Sequence, residues 1–128
     1  MAFRRKPLVL IVDDDPAVAK TLDMLLRQEG YRATIALSSR TAIEMLSRIA
    51  ADIALVEVTL PKVDGIKTAL EIRKRLPRCK ILLTASSAEA VPILERAKKD
   101  GMNFDVFAKP ILIPELLTKL GSLSALPK

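Results

Sequence analysis

The chain has 128 residues, 50% of them hydrophobic and 28% charged, and its 21 Lys and Arg against 15 Asp and Glu give a formal net charge of +6. A chain of this length forms one domain with a sizeable core and needs neither disulfides nor a metal to fold. With no histidine and a single cysteine, Cys79, a Ser-His-Asp triad, a His-ligated metal and an internal disulfide are excluded. No apolar run approaches the roughly 20 residues of a membrane-spanning helix, and the basic N-terminus does not fit a signal peptide, so we expect a cytoplasmic protein.

The first predicted strand and helix are the most clearly marked. Leu8–Val12 is a continuous apolar run, which is typical of a parallel sheet that is covered on both faces. Asp15 and Pro16 then begin a helix as its N-cap and first helical residue, and Gly30 ends it. The chain therefore starts with a strand-helix unit.

The same alternation continues through the next segments. Arg32–Leu37 is a weaker strand, and Ser38 or Ser39 caps a second helix whose apolar positions continue to Ile49. Asp52–Val58 is predicted as the third strand.

A third helix is predicted from the Asp64-Gly65 pair to Leu76, where Pro77 stops it. Lys80–Thr84 follows as the fourth strand. Seven basic residues stand against two acidic ones between Lys62 and Lys80, so most of the excess positive charge is local to this stretch.

The fourth helix has two alternative starts. Residues 86–89 form a capping-box sequence, whereas a start near Ala90 would place Pro92 in the first turn, where proline is tolerated. Gly101 ends this helix, and Asp105–Ala108 is a short fifth strand.

A last helix is predicted from Pro114. Strands and helices that alternate with this period indicate a parallel sheet with helices on both faces, joined by right-handed crossovers. Ligands of such sheets bind at the carboxyl ends of the strands. The polar residues predicted at that edge are Asp13, Asp14, Asp15, Glu57, Thr84 and Lys109.

Carboxylates that converge at one sheet edge repel one another and need a cation. Oxygen ligands suit Mg²⁺, which also accepts phosphate oxygens, so we predict that Asp13 and Asp14 bind a metal, whereas Asp15 caps a helix. Lys109 adds a fixed positive charge and Thr84 a hydroxyl. Together these groups indicate a site for a phosphoryl group.

Four segments of the chain resemble the response-regulator receiver domain of two-component signalling. They are Leu10–Pro16, Asp52–Gly65, Ile81–Ala85 and Phe107–Pro110. The resemblance implies a flavodoxin-like (βα)₅ fold with the strand order 2-1-3-4-5. It implies a receiver domain over residues 7–123, between a basic N-terminal segment at 1–6 and a C-terminal tail at 124–128.

The resemblance also assigns roles within the predicted site. It implies that Mg²⁺ is held by Asp13, Asp14 and Glu57 together with the backbone carbonyl of Thr59. A second set of implied features surrounds the phosphoryl group: Glu57 stands at the phosphoacceptor position, Thr84 and Lys109 respond to phosphorylation, and the peptide bond before Pro110 is cis.

Two positions depart from the pattern of the family. Glu57 replaces the phosphoacceptor aspartate, and its extra methylene moves the carboxylate outward by about 1.5 Å. Val106 stands where the family has an aromatic switch residue, with Phe104 or Phe107 as candidate substitutes. We therefore predict a stand-alone receiver that is independent of phosphorylation or locked in an active-like state, and that is not an enzyme.

Three alternatives remain open. The first is a phosphorylation-competent, Mg²⁺-dependent receiver. The second is a phosphatase similar to haloacid dehalogenases, with Asp13 as nucleophile and Asp15 as general acid, although Glu115 is the only acidic residue after Lys109. The third is a nucleic-acid binder that uses a basic patch of Arg73, Lys74 and Arg78, which is disfavoured because aromatic residues make up only 3% of the chain.

The resemblance implies protein partners. It predicts a sensor histidine kinase or a downstream signalling protein, bound through the fourth helix, fifth strand and fifth helix. No membrane association is expected, nucleic acid is not the favoured partner, and homodimerisation is left open.

Overall fold

Five parallel strands form a single sheet in the order β2-β1-β3-β4-β5, which confirms the predicted flavodoxin-like fold. The computed structural model describes residues 6–62, 64–86 and 88–125, without the side chains of 124 and 125. The strands are β1 (Leu8–Val12), β2 (Arg32–Ala36), β3 (Ile53–Glu57), β4 (Lys80–Ala85) and β5 (Asp105–Ala108). The helices are α1 (Pro16–Gln28), α2 (Ser39–Met45), α3 (Gly65–Arg75), α4 (Ala90–Lys99) and α5 (Ile113–Ala125).

The sheet separates two hydrophobic cores. Leu10 and Val12 of β1 pack toward α2, α3 and α4, whereas Val9 and Ile11 of the same strand pack toward α1 and α5. Successive side chains of a strand point to opposite faces. A strand that is buried on both faces must therefore be apolar at every position, which explains the continuous run Leu8–Val12.

Side-chain caps fix the starts of the first three helices. Asp15 accepts hydrogen bonds from the backbone N–H groups of Ala17 and Val18 at the start of α1. Ser38 caps α2, which resolves the choice between two serines, and Asp64 caps α3 by accepting from the N–H of Lys67 at 3.0 Å. Each cap satisfies backbone donors that the helix itself leaves unpaired.

One helix differs from the sequence expectation, and a second decides between two predicted starts. α2 ends at Met45, although its apolar pattern continues to Ile49, which packs against the core from an irregular segment. α4 begins at Ala90 with Pro92 in its first turn and has no side-chain cap, so the later of its two predicted starts is confirmed. Ser87 of the predicted capping box lies outside the described residues.

The predicted ends of the domain are only partly described. Residues 1–5 of the predicted basic segment and residues 126–128 of the predicted tail lie outside the described residues. α5 begins at Ile113, one residue before Pro114. Within the described part of the chain, no helix is long and apolar enough to cross a membrane.

Candidate functional site

The predicted site residues lie at the carboxyl edge of the sheet. Asp13 directly follows β1, Glu57 is the last residue of β3, and Lys109 directly follows β5. Thr84 is buried in β4 opposite Glu57 in the strand register. The parallel topology alone brings residues that are up to 96 positions apart to this edge.

Lys109 forms the centre of the site. Its Nζ lies 2.5 Å from Oδ2 of Asp13 and 2.7 Å from Oε1 of Glu57. The side chains of Lys109, Asp13 and Glu57 are 13%, 4% and 2% exposed. A single ammonium group therefore contacts two carboxylates that are largely shielded from water and offsets part of their combined charge.

The second oxygen of Glu57 is held from the other side. Oε2 accepts hydrogen bonds from the backbone N–H and from the hydroxyl of Thr59, both at 3.2 Å. Oε1 is fully buried and, despite its ion pair with Lys109, has no hydrogen bond of good geometry. Both oxygens of the carboxylate are thus engaged, one by charge and one by two directed donors.

The environment keeps this pair ionised. Burial by itself raises the pKa of Glu57, but the close contact with Lys109, the Thr59 backbone N–H, the Lys109 charge and the Ser86 hydroxyl together lower it below its ordinary value. Burial likewise lowers the pKa of Lys109, whereas its close contacts with Asp13 and Glu57 and the charges of both raise the pKa above its ordinary value. Each partner stabilises the charged form of the other.

The three consecutive aspartates have three different environments. Asp13 is buried, and its Oδ1 accepts a hydrogen bond from the backbone N–H of Asp15 at 2.9 Å. Asp14 is exposed. Asp15 caps α1. Asp13 and Asp14 were predicted to bind a metal as an equivalent pair, whereas the fold buries Asp13 and exposes Asp14.

The predicted magnesium ligands are not gathered around a common point. In the described ranges, no group of three acidic or cysteine side chains is placed to hold a metal ion. Asp13 and Glu57 face the Lys109 ammonium, and Asp14 lies exposed beside them. In this arrangement the two inner carboxylates contact the Lys109 ammonium, so a divalent cation would have to share them with that fixed positive charge. The set Asp13, Asp14, Glu57 and the Thr59 carbonyl stays a prediction.

The residues considered for an aromatic switch lie around β5. Val106 is 43% exposed. Phe107 packs against the α1 and α5 core, and the ring of Phe104 lies beneath the Arg73 guanidinium at 4.4 Å. The peptide bond between Lys109 and Pro110 is cis, as the resemblance implies.

Two features of the site were not predicted from the sequence. The hydroxyl of Thr59 contacts Glu57, although only its carbonyl was considered. A Cβ atom on Gly65 would lie 2.1 Å from the carbonyl oxygen of Glu57 and 2.8 Å from Cα of Val58. Gly65 therefore allows α3 to approach the end of β3 closely, and its N–H donates to the Val58 carbonyl at 2.7 Å. The Asp64-Gly65 pair, read only as a helix start, carried the signal for this approach.

Comparison with known proteins gives a consistent result. The family model described as "Response regulator receiver domain" matches residues 9–121. "Regulatory protein AtoC" of Escherichia coli (strain K12) is 31% identical over 108 residues, which are 84% of this chain and 23% of that protein. The chain thus spans less than a quarter of the length of this curated relative.

Solved structures show the same fold. The Francisella response regulator 1452 receiver domain has a TM-score of 0.76 at 23% identity and covers 92% of this chain and 96% of its own. A CheY-like receiver domain protein from Methanospirillum hungatei JF-1 has a TM-score of 0.78 at 24% identity, covering 93% and 94% of the two chains.

Proposed function

We propose, from the premise that this chain belongs to the response regulator receiver domain family, that it is a receiver that does not cycle through an acyl phosphate and acts by binding other proteins. Receiver domains are signalling modules of two-component systems that typically bind Mg²⁺ at their acidic pocket. The observation that carries the proposal is the pair of contacts that Lys109 makes with Glu57 and Asp13.

A phosphoacceptor needs a carboxylate oxygen that is free to attack phosphorus in line. In Glu57, Oε1 faces an ammonium at 2.7 Å and Oε2 accepts two hydrogen bonds from Thr59. Phosphorylation of either oxygen would break its present contact, with Lys109 or with Thr59, and would move the negative charge from the carboxylate onto the phosphoryl group. These contacts support a Glu57 that acts as a fixed anion and holds the pocket in one conformation.

The same contacts argue against a phosphatase mechanism. A general acid at Asp15 would have to leave the N–H groups of Ala17 and Val18 that it caps. A nucleophile at Asp13 would have to leave Lys109. Both carboxylates are committed to structural roles, and we assign neither of them to catalysis.

The partner surface that we propose is formed by α4, β5 and α5. Large apolar side chains are exposed on the first two of these elements, with Val91 of α4 at 51% and Val106 of β5 at 43%. Exposed apolar side chains on neighbouring elements favour a protein partner. A sensor kinase or a downstream signalling protein in the cytoplasm would be such a partner, and self-association through the same surface is an alternative.

The decisive experiment is intact mass measurement after incubation with Mg²⁺ and a small phosphodonor. We expect no phosphoryl adduct on the wild type and an adduct on Glu57→Asp, whose shorter side chain restores the usual acceptor. Glu57→Gln is the matched control, because it removes the acceptor and nearly preserves side-chain size. A phosphoryl adduct on the wild type that Glu57→Gln abolishes would contradict the proposal and establish a phosphorylation-competent receiver.

A further inference from the structure

The edge of the sheet opposite the candidate site collects positive charge from two helices. α3 and α4 pack side by side on the same face of the sheet. Each connects consecutive parallel strands and therefore runs antiparallel to them, so both helices end where the strands begin. Their last turns consequently lie at one edge of the molecule.

Both of these last turns are strongly basic. We call their exposed cations, together with one cation in the turn after α3, the basic edge. It comprises Arg73, Lys74, Arg75, Arg78, Arg96, Lys98 and Lys99.

One contact joins the two parts of the basic edge. The Arg73 guanidinium at the end of α3 lies over the ring of Phe104, which belongs to the segment between α4 and β5. The sequence places the two groups of cations about twenty positions apart, and the fold makes them neighbours.

Acidic side chains offset only part of this charge. Asp52 lines a pocket with Arg75 and Arg78, and Glu95 is exposed beside Arg96 on α4. Glu71 pairs with Arg75 at 2.7 Å, and Asp105 pairs with Lys119 of α5 at 3.0 Å. Asp100, after the end of α4, is exposed. Cations at a helix end do offset the helix dipole, but this local effect does not require seven of them at one edge.

The character of the surface indicates the class of partner. Within 73–80 and 96–101, no large apolar side chain is among those that the structure exposes. Protein interfaces, by contrast, have apolar or aromatic centres from which lysine is depleted. The aromatic ring at this edge, Phe104, is covered by Arg73 and is not free to stack on a base.

We infer that the basic edge binds the phosphodiester backbone of nucleic acid without reading its base sequence. Cationic side chains supply such binding by displacing condensed counterions from phosphates, and no apolar anchor is needed. This surface lies at the opposite edge from Glu57 and Lys109. The inference is therefore independent of the proposed signalling function.

The test is fluorescence anisotropy of a labelled 20-base-pair DNA duplex titrated with the full chain. If about four phosphates are contacted, affinity falls on the order of 100-fold between 50 and 200 mM salt. A triple variant, Arg78→Gln, Lys98→Gln and Lys99→Gln, should weaken binding at 50 mM salt by roughly tenfold or more and reduce the salt slope by about three. Two duplexes of unrelated sequence should bind equally.

A matched control removes the same number of charges from the other end of the molecule. This control is the triple variant Lys20→Gln, Arg40→Gln and Lys67→Gln, whose positions lie in the first halves of α1, α2 and α3. Its affinity for the duplex should be within twofold of that of the wild type. If both triple variants weaken DNA binding equally, the binding depends on the net charge of the protein and not on the basic edge, and the inference is overturned. The inference is also overturned if the duplex does not bind at 50 mM salt. If an Asp/Glu-rich peptide binds more tightly than the duplex, the inference is overturned as well, and the basic edge is assigned to an acidic protein segment.

Discussion

The two edges of the sheet hold their charged side chains in opposite ways. At the carboxyl edge, Lys109 and two carboxylates are almost fully buried and are paired with one another. At the basic edge, seven cations are exposed, and the ion pair between Arg75 and Glu71 is also exposed. Buried charges must be paired to be tolerated at all, whereas exposed charges cost little whether or not they are paired.

This difference separates what each edge can contribute. The buried cluster constrains one conformation, because moving Lys109 leaves two buried carboxylates without their counter-charge. The exposed cluster contributes little to the fold and leaves its cations available to an anionic ligand. We therefore expect substitutions at the carboxyl edge to change stability, and substitutions at the basic edge to change binding.

The largest expected effect comes from removing the central cation. Lys109→Met leaves the Asp13 and Glu57 carboxylates buried without a counter-charge and should lower the free energy of unfolding by about 3–5 kcal/mol. Urea unfolding monitored by circular dichroism measures this. Lys119→Met is the control, since its pair with Asp105 is partly exposed and should contribute about 0–1 kcal/mol. Equal effects of the two variants would contradict the contrast between buried and exposed pairs.

The next effect concerns the packing that holds Glu57 in place. Gly65→Ala introduces a Cβ that meets the Glu57 backbone oxygen at 2.1 Å, so α3 must shift and stability should fall by about 1–3 kcal/mol. Gly121→Ala in α5 is the matched control. It has no neighbour within 4 Å and should gain up to about 1 kcal/mol from higher helix propensity. A neutral Gly65→Ala would show that the close approach does not constrain the site.

A smaller effect should appear as pH dependence. The pKa of Glu57 is lowered in the folded chain, so its contribution to stability is present above the ordinary value of 4.5 and is lost as the pH falls through the folded pKa. The stability difference between the wild type and Glu57→Gln should therefore shrink from pH 7 toward pH 3. Thermal unfolding of both proteins across this range measures it, and a difference that grows on acidification would contradict the ion pair.

The raised pKa of Lys109 predicts a loss of stability on the alkaline side. Its contribution is present below its ordinary value of 10.5 and is lost as the pH rises through the folded pKa. Between these limits Glu57 and Lys109 both remain charged. Stability should therefore vary little with the charge state of this site around neutral pH.

Local signals in the sequence were sufficient for most of the fold. Asp15 before Pro16 marked the start of α1, and Gly30, which adopts a φ of +92°, marked its end. The spacing of apolar residues gave a wrong prediction for the end of α2, because Ile49 packs against the core without being helical. Apolar spacing reports burial, and an irregular segment can satisfy it as well as a helix.

The location of the site could be predicted from the sequence, but the contacts among its side chains could not. Because ligands of parallel sheets bind at the carboxyl ends of the strands, the sequence alone identified Asp13, Glu57, Thr84 and Lys109. Which carboxylates Lys109 contacts depends on side-chain reach across three strands, and sequence spacing holds no information on that reach. The basic edge was recognised only in part. The sequence shows the local positive charge around the end of α3, but the cations of α4 join it only when α3 and α4 pack on one face.

The smallest expected effect tests whether burial or position decides the contrast between the edges. Asp14 belongs to the carboxyl edge but is exposed, so Asp14→Asn should change the free energy of unfolding by less than about 0.5 kcal/mol. Asp13→Asn, one position away, removes a buried partner of Lys109 and should cost about 1–3 kcal/mol. If the two variants cost the same, the carboxyl edge stabilises the fold through its collective charge. If only Asp13→Asn is costly, stability depends on the buried pair. Asp14 would then contribute little to the free energy of unfolding, as we expect of the cations of the basic edge.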